Sequence, residues 1–261
     1  MRSLWRGVSL VCLEEGGLSV LVALWVGVVA YADTAEEIIE RARAANQVES
    51  SIQSLRMVVV SKTGSERVKE LELRSRREAD KVSSYIEVKA PSDVAGTKLL
   101  MIDHDTAADE QMTYLPVYKR VNRISGSSRK GAFIGSDFSY EDLDIREAAE
   151  GRHTLVEETD LTWVIDTIPE DSVQYSRIRA HISKSDHVAR KVEFFDKKEQ
   201  PLKLLEVQQV AVEGDISLPV LSKMSNLQRG THTTLEITEH RLNLSEEELP
   251  PETFTAAYLE R

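Results

Sequence analysis

Apolar residues fall on every second position over most of this chain, and one short stretch near its start follows helical spacing instead. That stretch opens with Thr34-Ala35-Glu36-Glu37, a capping box in which the threonine hydroxyl accepts from the third helical amide and Glu37 reaches back to the cap. Ile38, Ile39, Ala42 and Ala45 then share one face, which predicts a helix ending near Asn46. Beyond it the period drops to two. Val82, Ser84, Ile86 and Val88 alternate with Ser83, Tyr85 and Glu87, and Leu71 and Leu73 alternate with Glu70, Glu72 and Arg74. Leu161, Trp163 and Ile165 form another such series, as do Ile178, Ala180 and Ile182, then Val188, Val192 and Phe194, then Leu235 and Ile237. Turns are expected at Lys62-Thr63-Gly64, Lys184-Ser185-Asp186, Asp196-Lys197-Lys198 and Glu213-Gly214-Asp215.

Half-buried strands in hairpin order make an antiparallel sheet with one wet face. About ten or eleven strands are expected, and an open sheet of that size has to curl or split. No fixed repeat and no long linker interrupts the series, so residues 33–261 read as one α+β, mainly β domain. The alternation collapses between Tyr114 and Asp144. This excursion of roughly thirty residues, with Ser125 to Gly131 as its hinge, is of the length that usually serves as a functional loop or lid.

Residues 1–32 have the layout of a cleaved secretory signal: Arg2 and Arg6, an apolar run from Leu18 to Val29, then Ala30-Tyr31-Ala32. The lone cysteine, Cys12, lies inside that segment, so the mature chain has no thiol chemistry, and a periplasmic location is expected. With 33 Lys+Arg against 44 Asp+Glu, the net charge of −11 argues against nucleic acid and against passive adsorption to anionic lipid.

The run Tyr114-Leu115-Pro116 through Lys119-Arg120-Val121 to Gly135-Ser136-Asp137-Phe138-Ser139-Tyr140-Glu141-Asp142-Leu143 resembles the outer-membrane lipoprotein-sorting-like family. These are periplasmic proteins related to the LolA and LolB lipoprotein carriers. Arg190 to Asp196 and the tail Phe254 to Glu260 agree with it. The resemblance implies a strongly curved antiparallel open half-barrel whose concave face is covered by helices, with an apolar cavity between. It implies a non-enzymatic, monomeric carrier of lipid or lipoprotein acyl chains, partnered by a membrane transporter or an outer-membrane acceptor.

Sheltering hydrocarbon is worth about 0.8 kcal/mol per methylene, so one long acyl chain gains roughly 10 kcal/mol. Candidate wall residues are Leu99, Met101, Met112, Tyr114, Phe133, Phe138, Trp163, Phe194 and Met224. Candidate contacts for head groups or a partner are Arg76, Lys119, Arg120, Arg123, Arg129 and Lys130. The other reading is a periplasmic sensor or adaptor that docks a regulatory protein through those cations. No nucleophile elbow, phosphate loop or His-Glu-x-x-His helix occurs, and no cofactor or metal is expected. Asp137, Glu141, Asp142 and Asp144 read as cap and surface charge. His104, and His181 with His187, are the weak candidates for a metal.

Overall fold

The computed structural model describes residues 33–45, 47–143 and 151–261; the expected signal segment, Asn46 and Asp144 lie outside these. Helix α1 (Ala35–Ala45) begins at the predicted box: the Thr34 amide donates to Glu37 Oε2 at 2.9 Å and the Glu37 amide to Thr34 Oγ1 at 3.2 Å. Two meanders follow. The first contains β1 (Ser50–Val60), β2 (Glu66–Arg77), β3 (Lys81–Ala90), β4 (Lys98–His104), β5 (Glu110–Leu115) and β6 (Arg120–Ile124). The second contains β7 (Gly151–Glu158), β8 (Thr162–Pro169), β9 (Tyr175–Ser183), β10 (Ala189–Asp196), β11 (Pro201–Glu213), β12 (Ile216–Asn226) and β13 (Thr231–Leu242). A 3-10 turn at Pro251–Phe254 and a short helix α2 (Ala256–Leu259) end the chain.

All the strands join one open antiparallel sheet in the order β6-β5-β4-β3-β2-β1-β13-β12-β11-β10-β9-β8-β7. The chain enters at the middle, reaches one edge at β6, crosses to the opposite edge at β7, and returns to pair β13 with β1. The crossing connection is the excursion noticed in the sequence. The sheet has 13 strands where about ten or eleven were expected. One of the additional strands is β6, read from sequence as part of the collapse. Its apolar Val121 and Ile124 stand three residues apart and therefore face opposite sides, which hides the period.

Register carries one apolar stripe across the sheet: Leu205 opposes Met224, Leu235 opposes Met57, Leu55 opposes Leu71, and Ile86 opposes Leu99. At one end α1 covers this inner face, packing Ala35, Ile38 and Ile39 on Trp163, Ile165 and Ile182. Toward the middle the excursion covers it with Phe133, Ile134, Tyr140 and Leu143. The expectation of one wet face fails for β3 to β5. On their outer face Tyr85 and Leu100 are buried beneath Leu249, Phe254 and Leu259 of the C-terminal tail, so both faces are dry. Leu161, assigned from sequence to a strand interior, precedes β8 and is 77% exposed.

Candidate functional site

The excursion folds as a plug pressed into the concave face. Ser125 and Ser128 cap a 3-10 turn at Gly126–Lys130, so the expected hinge is a structured turn. The Phe133 amide then donates to Phe138 O at 2.8 Å, and the Tyr140 amide to Gly131 O at 3.1 Å, closing a tight loop. Its tip is Ile134 at φ 42 followed by Gly135 at φ 73. A β-branched residue in the left-handed region is held there only by surrounding contacts, at a cost of order 1–3 kcal/mol. Phe133 enters the cluster around Leu99 and Met101, while Phe138 enters the one around Phe194 and Met224.

Three carboxylates of the signature latch the plug to strands and loops far away in sequence. Asp137 accepts from Thr231 Oγ1 at 2.5 Å and Thr233 Oγ1 at 2.8 Å, and its own amide donates to Thr233 Oγ1. Asp142 pairs with Lys203 Nζ at 2.6 Å and accepts from the Tyr175 hydroxyl at 2.5 Å and the Ser139 amide at 2.7 Å. Glu141 accepts from the Ser172 hydroxyl, the Val173 amide and Gln174 Nε2. These side chains were expected at the surface; instead Asp137 and Glu141 are buried, and the Asp142 and Lys203 side chains are 1% and 5% exposed. Burial, then the charge and hydrogen bond of Asp142, raise the Tyr175 phenol well above its ordinary value. Every lone pair so engaged is unavailable for acid–base work, so the cluster reads as structural.

The nine candidate wall residues do not converge on one cavity. Leu99, Met101 and Phe133 share a cluster; Phe138, Phe194 and Met224 share the next one along the inner face; Trp163 lies under α1. Met112 and Tyr114 face the other side, under the C-terminal tail, and cannot line a space beneath the plug. The six candidate cations are dispersed too. Arg76 donates to Ser245 O and Leu249 O and so holds the tail, while Arg129 pairs with Asp171 at 3.5 Å. Lys119 and Arg120 stand at the exposed β5–β6 turn beside Tyr118, Arg123 is exposed on β6, and Lys130 is exposed on the 3-10 turn. His181 meets Glu193 at 2.9 Å, His187 stacks on Trp163, and His104 lies 3.6 Å from Glu110. Among the described residues no group of three or more His, Cys, Asp or Glu could hold a metal.

What remains open beside the plug is a groove of about 510 Å³ between β2, the β3–β4 loop and the plug tip. Val68, Pro91, Val94 and Ile134 give it apolar walls; Arg67, Lys69 and Asp93 supply charge. Lys69 is 6% exposed and makes no hydrogen bond or ion pair among the described residues. Burial, then the neighbouring Arg67 charge, push its ammonium below the ordinary lysine range, and the Asp93 carboxylate pulls the other way. The sequence carried a signal for it: Lys69 stands in phase with Leu71 and Leu73, where a cation is out of place.

A family model described as "Uncharacterized protein" matches residues 80–261. A domain described as that of an outer membrane lipoprotein-sorting protein from Vibrio parahaemolyticus superposes with a TM-score of 0.80 at 28% identity, covering 86% of this chain and 97% of that one. A DUF1329 family protein from Desulfovibrio piger gives 0.78 at 22% identity, over 87% and 100%. A LolA superfamily protein from Nitrosomonas europaea gives 0.68 at 18%, over 87% and 100%. No curated protein sequence matches the chain. The chain belongs to the family whose model spans residues 80–261, and it shares the fold of the lipoprotein-sorting domain and of the LolA superfamily protein.

Proposed function

We propose that this chain is a non-enzymatic, exported carrier-type domain that works in the periplasm and shelters one hydrocarbon chain with an anionic head. The observation that carries the reading is the groove at the plug tip. Its volume of about 510 Å³ lies in the range of small-molecule sites, and its apolar walls surround a buried lysine that lacks a protein partner. A hydrocarbon tail would lie along Pro91, Val94 and Ile134, with its head group meeting Lys69. An ammonium this far withdrawn from water, with only the Asp93 carboxylate nearby and no bonded partner, gains from an incoming carboxylate or phosphate. Of the wall residues read from sequence, Leu99 and Met101 then serve as the packed floor under the plug. Opening the strained Ile134 turn would give the tail access to Leu99, Met101 and Phe133 below.

The test is titration with cis-parinaric acid, a fluorescent fatty acid, with native mass spectrometry of protein taken from cell envelopes. Saturable binding is expected, with Val94→Asp and Lys69→Met each weakening it by about tenfold. Lys69→Met should also stabilise the free protein, because an unpartnered ammonium leaves the low-dielectric space. Affinity should fall as pH rises through the lowered pKa of Lys69, where the ammonium loses its proton. Absence of saturation, or indifference to both substitutions, overturns the reading.

The adaptor reading draws on the β5–β6 turn, where Val117 (84% exposed) and Tyr118 (65%) project beside Lys119 and Arg120. Capture of a protein partner that Arg120→Glu abolishes, with parinaric acid binding intact, would favour it.

A further inference from the structure

A second hollow lies on the other side of the plug, about 190 Å³ in volume, between the plug, β11, β12 and the β12–β13 turn. That volume equals the liquid share of about six waters. Three cations reach it: Lys203 from β11, Arg229 from the turn and Lys130 from the 3-10 turn. The side chains of Lys130 and Arg229 make no hydrogen bond or ion pair among the described residues. Lys203 uses two of its three N–H directions, on Asp142 and Ser139, and keeps the third. Asn226 is 5% exposed; its Oδ1 accepts from the Arg229 amide at 2.9 Å, and its NH₂ group has no partner among the described residues. That NH₂ group is free to donate to an acceptor that enters the hollow.

The one carboxylate in the lining is Asp137, and both of its oxygens are taken by the Thr231 and Thr233 hydroxyls. Counting Asp142 behind Lys203 and Glu141 behind Gln174, three cations stand against three carboxylates, but each carboxylate is taken up by its own donors while Lys130 and Arg229 stay uncommitted at the mouth. We propose that this hollow is an oxyanion site that takes a phosphoryl group, with Arg229 and Lys130 at the mouth and Lys203 and the Asn226 amide at the base. Arginine and lysine donors around a neutral amide match the acceptor-only surface of a phosphate. The site is independent of the groove beside Lys69: it shares no residue with it and can be occupied or lost on its own.

Two sources present this chemistry, free phosphate and the phosphodiester of a lipid head group. The test is isothermal titration of the full chain at fixed ionic strength, once with inorganic phosphate and once with acyl-free glycerophosphoglycerol. Saturation by at least one probe is expected, weakened about tenfold by Arg229→Gln and about threefold by Lys130→Gln. Both substituted residues are exposed, so urea midpoints should not move. Asn226→Asp, which keeps the shape and replaces the donor by an acceptor, should abolish binding and gives a variant of different cause. Saturation by phosphate alone assigns a free anion, and saturation by the diester assigns a lipid head group. The site is overturned if neither probe saturates at millimolar concentration, or if all three variants bind as the unaltered chain does.

Discussion

The strands β2 to β5 are covered twice by apolar contact, and the two covers differ in what else anchors them. On the inner face the plug packs Phe133, Ile134, Tyr140 and Leu143 on these strands and is pinned to the other half of the sheet by polar groups: Asp137 on Thr231 and Thr233, Glu141 on the β8–β9 loop, Asp142 on Lys203 and Tyr175. On the outer face the tail is fixed chiefly by apolar burial of Leu249, Phe254 and Leu259 on Tyr85 and Leu100, with Lys98 donating to Leu259 O at 3.1 Å. Hydrophobic adhesion is strong but has no direction, whereas buried hydrogen bonds enforce one arrangement. The tail only needs to exclude water. The plug must hold the Ile134 turn beside the groove and Ser136 to Ser139 beside the cationic hollow, so its position has to be specified.

The largest effect should come from removing the central acceptor of the latch. Asp142→Ala leaves the Lys203 ammonium buried without its counter-charge and strips an acceptor from the Tyr175 hydroxyl and the Ser139 amide. We expect a loss of about 3–5 kcal/mol in urea unfolding. Pairing it with Lys203→Met should recover much of that loss, because a buried charge pair is costly to break but replaceable as a unit. The apolar cover should respond differently. Leu259→Ala removes a fully buried side chain, and about 2–4 kcal/mol should go, set by the size of the space left. No second substitution should rescue it. Limited proteolysis sharpens the contrast: Leu259→Ala should expose the tail to cleavage while the plug stays protected, and Asp142→Ala should do the reverse.

Much of this architecture is visible in the residue pattern, and the reasons for the misses are specific. Alternation located the strands and their inner phase, since Leu71, Ile86, Ile178 and Phe194 all point where period two sends them. It could not say which face of β5 meets the plug, because Met112 and Tyr114 on one side and Thr113 on the other are all shielded from water. The packing of the tail is not legible because its apolar residues are spread over a loop, a 3-10 turn and a one-turn helix, each too short for a period to show. The latch was misread because burial of Asp142 depends on Lys203, 61 positions away, and no local pattern reports that contact. One signal was present and usable: Lys69 and Lys203 both occupy inner-phase positions, in step with Leu71 and Leu205. A lysine on the apolar phase of a strand marks a buried partner or a ligand; for Lys203 the partner is Asp142, and for Lys69 the ligand is the proposed anionic head.

The smallest effects belong to two buried tyrosines, one under each cover. Burial raises both phenols, with the Asp142 charge and hydrogen bond adding to it at Tyr175 and the Glu87 charge at Tyr85. A raised folded pKa means that the folded chain keeps a proton which the unfolded chain releases above about pH 10. The stabilisation is therefore complete below that value and is lost as pH climbs toward the raised folded values. Replacing either ring by phenylalanine removes its share, so both variants should show a flatter alkaline limb above about pH 10. At neutral pH they should part. Tyr175→Phe takes a donor from the buried Asp142 carboxylate and should cost about 1–2 kcal/mol. Tyr85 packs by its ring, edge-on to Tyr258 at 5.4 Å and 5.7 Å beneath the Arg74 guanidinium, and phenylalanine keeps both contacts. Tyr85→Phe should therefore stay within about 0.5 kcal/mol of the parent. If the two variants lose equal stability at neutral pH, the polar hold on the plug and the apolar hold on the tail are not distinct.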